Sequence, residues 1–153
     1  MSIQDKLASM GLSLPVAAKP LGSYVPAVRY GSLVFTSGQG PIRDGDLGLL
    51  GRVGLDLTVE QAQEAARICA LNCLAAVVSI AGDPDRISRI LRVTGYVNSA
   101  ADFTDQPAVV NGASDFLVEL FGEAGKHSRA AVGVYQLPMG IPVEVDLIAE
   151  VRD

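Results

Sequence analysis

The chain has 153 residues, 49% of them hydrophobic and 19% charged, with a formal net charge of −5. That balance excludes a disordered segment and gives enough length to bury the core of one domain. The acidic charge, an aromatic content of 5% and the absence of tryptophan weigh against a nucleic-acid binder, which needs a basic surface and stacking platforms for bases.

The N-terminus, Met1 to Asp5, lacks the basic region and following apolar run of a secretory leader, so a cytoplasmic location is expected. Residues 1–20 read as a lead-in. A helical turn over Lys6–Met10 ends near Gly11, and Pro15 and Pro20 favour extended backbone. Ala27–Tyr30 and Leu33–Ser37 read as strands joined by a turn at Gly31-Ser32. Residues 38–56 are glycine-rich and read as a loop. Its run Gly48–Gly54 matches neither a phosphate loop nor a dinucleotide fingerprint.

Thr58-Val59-Glu60-Gln61 fits a capping box, so a helix should follow. Val59, Ala62, Ala66, Cys69, Cys73, Val77 and Ile80 recur at three- and four-residue steps, the spacing of one buried helical face. Cys69 and Cys73 read as buried thiols on that face. They have no second ligand pair, so no metal site is expected. No apolar run is expected to span a bilayer.

Ile87–Val97 reads as a long strand. Pro107 suits the first turn of a second helix, whose apolar face is Val110, Ala113, Leu117 and Leu120 and whose stop is Gly122. Strands at about 128–136 and 143–151 follow, with Leu137–Gly140 as the turn between them. The order β-β-α-β-α-β-β predicts an α+β domain, a mixed sheet with two helices on one face. The other face then needs cover, and association of subunits is the obvious source.

Two residues carry the functional reading. Arg129 opens one of the last strands and Glu144 lies in the other. An arginine fork suits a substrate carboxylate, because it donates two parallel charge-assisted hydrogen bonds. A glutamate beside it can position or activate water. The turn between them makes the two strands neighbours, so both side chains can face one small cavity. Arg129 could equally be a cross-strand partner of Glu144 or Asp146, which alternation puts on the same face, and residue type leaves both readings open.

Tyr24, Ser37, Gly38 and Asn111 are further candidates, each with a plain alternative. Tyr24 could be a half-buried aromatic, Ser37 and Gly38 a strand exit, Asn111 a helix cap. His127, the only histidine, would share the face of Arg129 if the strand begins that early, but it lacks a second metal ligand.

Tyr24, then Thr36-Ser37-Gly38-Gln39, then Val110-Asn111, then Arg129, then Pro138 and Val143-Glu144-Val145, together resemble the Rid family. This is the YjgF-type group of enamine/imine deaminases, also labelled L-PSP endoribonucleases. The resemblance runs from about residue 20 to the end, leaving 1–20 as an N-terminal extension of one domain over 1–153. It implies a chorismate-mutase-like fold and a homotrimer with a ligand cleft at each subunit interface. By position, Arg129 would bind the carboxylate of a 2-imino acid and Glu144 would orient the attacking water. Ser37, Gly38, Tyr24 and Asn111 would line the cleft. The implied reaction is hydrolysis of an enamine or imine to a 2-keto acid and ammonia, without metal or organic cofactor. Alternatives are non-catalytic binding of a small carboxylate metabolite and, on the older label, RNA cleavage. Ala131 stands where the family often has cysteine, and His127 and Ser23 stand where proline is usual. The stretch 102–111 is longer than usual. These changes alter the pocket wall but leave Arg129 and Glu144 in place.

Overall fold

The computed structural model describes residues 1–153. Its strands are β1 (Ala27–Tyr30), β2 (Leu33–Thr36), β3 (Ile87–Asn98), β4 (Ser128–Val134) and β5 (Val143–Val151). Its helices are α1 (Ile3–Ser9), α2 (Val59–Ala81) and α3 (Gln106–Phe121). The capping box is present as expected. Thr58 Oγ accepts from the Gln61 amide, and the Gln61 side chain accepts from the Thr58 amide. Gly82 ends α2 in the left-handed conformation that an L side chain resists.

The five strands form one sheet in the order β1-β2-β5-β3-β4. β5 is antiparallel to both β2 and β3, and β4 is parallel to β3. Thus β2-α2-β3 and β3-α3-β4 are both parallel crossovers that step in the same direction along the sheet. Crossovers are right-handed almost without exception, so the two helices must land on the same face. That face holds the core. Val93, Val97, Val143, Val145, Leu147 and Ala149 of the sheet are buried with Ala66, Cys73, Val77, Val110 and Leu117 of the helices. Each large side chain so buried contributes about 1.5–3 kcal/mol.

Two glycines let these layers approach closely. At Gly95 a Cβ would stand 2.5 Å from Val110 Cγ2, and at Gly112 it would stand 2.1 Å from the Gln63 carbonyl oxygen. The opposite sheet face carries no helix. Val28, Phe35 and Val132 are part-exposed there, at 54%, 40% and 42%.

The structure corrects three expectations. Ile80 lies at the edge of the α2 stripe and is exposed, while Ala81 is buried. α2, at 23 residues, is by length and composition apolar enough to cross a membrane, contrary to the expectation that no run would be. Most of it is buried inside the fold between the sheet and α3, where an apolar helix belongs in a protein core. Third, β4 and β5 are not neighbours. The chain leaves β4 and passes over the end of β3, where the Asn98 amide donates to the Pro142 carbonyl and Asn98 Nδ2 to the Ile141 carbonyl. It then enters the sheet between β3 and β2.

Candidate functional site

Glu144 sits near the start of β5, whose odd-numbered residues from Val143 to Val151 are buried against the helices. Alternation therefore turns Glu144 and Asp146 to the helix-free face. Glu144 lines a cavity of about 280 Å³ with Tyr24, Gly38, Gln39, Met139 and Ile141. Lys19, Pro20 and Leu21 of the N-terminal lead-in close another side of it. Gly38 lies flat against the carboxylate, where a Cβ would fall 2.7 Å from Glu144 Oε2. Gln39 fixes this approach by exchanging both backbone hydrogen bonds with Val145.

Burial raises the Glu144 carboxyl above the ordinary range, and the nearby Asp146 adds to the effect. Asp146 is raised by burial too, against the opposing hydrogen bond from the Tyr96 hydroxyl at 2.9 Å and the charge of Arg92. Behind them Cys69 and Cys73 are buried on α2, with Sγ atoms 3.4 and 3.2 Å from the Val143 and Val145 carbonyls. Burial, more than any other cause, pushes both thiols up and keeps them from serving as nucleophiles.

Arg129 lies on β4, an edge strand of the sheet. It pairs with Val93, which faces the helices, and so it reaches α3. Its NH1 group donates to Asn111 Oδ1 at 2.7 Å and to Ser114 Oγ at 3.2 Å. Asn111 and Ser114, three residues apart, share one face of α3. NH1 has two N–H bonds, and these two neutral oxygens accept both. No carboxylate lies within 4 Å of the guanidinium. The edge formed by Nε–H and NH2 is left to grip an anion in a bidentate fork. Asn111 thus lies inside α3 and holds the arginine instead of capping the helix.

Sequence reasoning grouped Arg129 with Glu144, and the chain does not bring them together. Glu144 is in register with Tyr96 and Arg129 with Val93, three residues away along β3 and on either side of it. At sheet spacings their Cα atoms are about 14 Å apart. Their side chains also leave opposite faces. The candidates divide into two half-sites, Tyr24, Gly38 and Glu144 in one, Asn111 and Arg129 in the other. Ser37 joins neither, because its hydroxyl donates to the Val25 carbonyl at 2.7 Å.

Ser114 was missed, although its three-residue spacing from Asn111 was visible in the sequence. Lys19 to Leu21 were missed because nothing local says that a lead-in folds over a cavity. A groove of about 620 Å³ between residues 41–49 and α2 contains none of the candidates.

A family model described as "YjgF/chorismate_mutase-like, putative endoribonuclease" matches residues 4–151, and the chain belongs to this family. It is similar to Protein TCP17 of Trypanosoma cruzi, with 43% identity over 99% of this chain and 95% of the relative. It is 31% identical to a 2-iminobutanoate/2-iminopropanoate deaminase of Salmonella typhimurium over 87% of this chain and 91% of that one. Among solved structures, the protein Atu1372 of Agrobacterium tumefaciens superposes with a TM-score of 0.91 at 42% identity, covering 98% of this chain and 92% of that one. TdcF of E. coli with bound serine superposes with a TM-score of 0.65 at 30% identity, covering 90% and 94%. The sheet and helices above are the α+β fold of these neighbours.

Proposed function

We propose that this member of the YjgF family hydrolyses reactive 2-imino acids and their enamine tautomers to 2-keto acids and ammonia. The observation that carries the reading is the Arg129 guanidinium, anchored through NH1 by Asn111 and Ser114 with its other edge ready for a carboxylate. The deaminase from Salmonella typhimurium lends support as a relative whose name states this chemistry. TdcF with bound serine supports a small amino-acid-like ligand.

In this reading Arg129 binds the substrate carboxylate and sets the imine carbon beside Glu144. That carbon is already electrophilic, so placement of substrate and water supplies most of the catalysis, with no metal or organic cofactor. Ionised Glu144 accepts a proton from water as the oxygen bonds to carbon. Glu144 returns that proton to the nitrogen, giving a neutral carbinolamine, and the carbinolamine O–H proton then passes through the same carboxylate to the nitrogen as the C=O bond forms, the C–N bond breaks and ammonia leaves. A carboxyl raised by burial is matched to this two-way transfer. Tyr24 and Gly38 form the wall.

The two half-sites need a second subunit to meet. Arg129 and Asn111 of one copy close on Glu144, Tyr24 and Gly38 of another, within a cytoplasmic homotrimer joined through the helix-free sheet face. Residues 1–153 act as one domain, with 1–20 lending a wall to the cavity.

An amino-acid oxidase generating 2-imino acids in the presence of semicarbazide, which traps the imine, provides the test. Wild type should lower the trapped imine, whereas Arg129→Ala should not, at unchanged oligomeric state. Full activity in Arg129→Ala defeats the proposal. Failure of wild type across a panel of parent amino acids favours non-catalytic carboxylate binding, which needs only the arginine half-site. RNA cleavage is disfavoured by the acidic balance and few aromatics.

A further inference from the structure

We propose that His127 and Ser114 are positioning residues that aim Arg129, so that the carboxylate clamp extends two residues beyond the arginine and Asn111. The inference rests on the reading of Arg129 as a clamp. His127 Nδ1 lies 2.6 Å from the Gly125 carbonyl oxygen, and Nε2 lies 2.9 Å from Ser114 Oγ. A carbonyl oxygen only accepts, so Nδ1 carries the proton. In the neutral ring Nε2 is then the acceptor, and the Ser114 hydroxyl donates to it. That choice turns the serine lone pairs toward Arg129, whose NH1 can only donate.

The chain therefore has one direction, from Arg129 to Ser114 to His127 to the Gly125 carbonyl. Each group fixes the next. Gly125 is itself packed closely against α3, where a Cβ would stand 2.3 Å from the Leu117 carbonyl oxygen. Both ends of the relay are thus tied to α3. Without the histidine, the serine hydroxyl rotates, and its proton competes for the side on which Arg129 donates. The guanidinium then keeps Asn111 and loses its second anchor, which leaves the fork free to swing about one hydrogen bond.

The experiment compares His127→Phe, His127→Gln and Ser114→Ala with wild type. Three readouts are taken: hydrolysis of 2-iminobutanoate generated in situ, affinity for 2-oxobutanoate by calorimetry, and order of the Arg129 Nε–H group by ¹⁵N relaxation. Phenylalanine fills the ring's space without an acceptor. Glutamine places an amide oxygen where Nε2 stood. His127→Phe and Ser114→Ala should each weaken 2-oxobutanoate binding about five- to tenfold, near the net worth of one ordinary hydrogen bond. kcat should fall as well, because a swinging clamp no longer holds the imine carbon in place beside Glu144. The double variant should be no worse than either single one, since both cut the same relay. His127→Gln should stay within about twofold of wild type, a rescue that a packing role for the ring would not allow.

Unchanged affinity and unchanged Arg129 order in His127→Phe and Ser114→Ala overturn the proposal. So does a His127→Gln variant as impaired as His127→Phe. A wild type that neither hydrolyses imine nor binds 2-oxobutanoate counts against the functional reading instead. In that event the Arg129 Nε–H order still decides the positioning role, falling in His127→Phe and holding in His127→Gln if the relay is real.

Discussion

The contact between Gly38 and Glu144 makes the sharpest prediction. Gly38 has no left-handed φ, so alanine meets no backbone penalty there. Its Cβ would, however, lie 2.7 Å from Oε2, 2.9 Å from Cδ and 3.2 Å from Cγ of Glu144. Ordinary contact begins near 3.4 Å, so the carboxylate must retreat by about 0.7 Å. The atoms that must move are the far end of a flexible side chain beside a cavity. The stability cost of Gly38→Ala should therefore sit at the low end for overpacking, about 1 kcal/mol, or roughly 2–4 °C in Tm. The catalytic cost should be disproportionate. A displacement of 1 Å from attack geometry can cost 10²-fold, so kcat should fall roughly 10- to 30-fold. Affinity for 2-oxobutanoate should scarcely change, because the arginine half-site is untouched. The semicarbazide-coupled assay, calorimetry and a thermal melt on one preparation read all three quantities. A variant with wild-type kcat would refute the placement of Glu144 at the reacting carbon.

Two further outcomes follow from the packing of α3 and the burial of Glu144. Gly112→Ala sets a Cβ 2.1 Å from the Gln63 backbone oxygen, which cannot give way as a side chain can, so α2 and α3 must separate. A loss of about 3 kcal/mol, or roughly 6–12 °C in Tm, is expected despite alanine's better helix propensity. A melt unchanged from wild type would show that the helices do not pack this closely. Glu144 concerns pH. Its carboxyl is raised in the fold by burial first and Asp146 second, so the folded state holds the proton more tightly than the unfolded chain. Stability is then full below the unfolded pKa and declines as pH rises toward the folded one. Glu144→Gln removes that penalty. Its Tm should exceed that of wild type at neutral pH and match it in acid, and a Tm gap independent of pH would contradict the assignment.

The elements were legible because their signals are local. The capping box at Thr58, the stripe from Ala62 to Val77 and the stop at Gly122 involve neighbours within a few residues, and α2 and α3 formed there. The division of the site into halves was not legible. It depends on the connection between β4 and β5 passing over the end of β3, where Asn98 bonds residues 141–142 in contacts that no local pattern announces. A turn at Leu137–Gly140 suggests a hairpin, and a hairpin would have put Arg129 and Glu144 on adjacent strands. The partner of Ser37 was hidden for a related reason. In the structure its hydroxyl donates to the Val25 carbonyl twelve residues away, a partner that no local pattern announces. His127 and Ser114 lie between these cases, since their types were visible but their meeting required α3 to lie against β4.

The division itself can be tested by mixing two inactive variants. Suppose that each site takes Arg129 from one subunit and Glu144 from the next around a ring. Arg129→Ala subunits then still offer a good glutamate half, and Glu144→Gln subunits a good arginine half. A site is intact only where the arginine donor is a Glu144→Gln subunit and its neighbour an Arg129→Ala subunit. With equal, random mixing each condition holds half the time, so about a quarter of wild-type activity should return, whatever the number of subunits in a closed ring. Were both groups to act within one chain, every subunit would carry a defect and mixing would restore nothing. Co-refolded variants, scanned over mixing ratio, should trace a curve that peaks at equal proportions. A flat line at the level of the separate variants would place Arg129 and Glu144 in unrelated roles. Since about 14 Å and the thickness of the sheet keep the two groups from meeting within one chain, that result would leave no site that uses both.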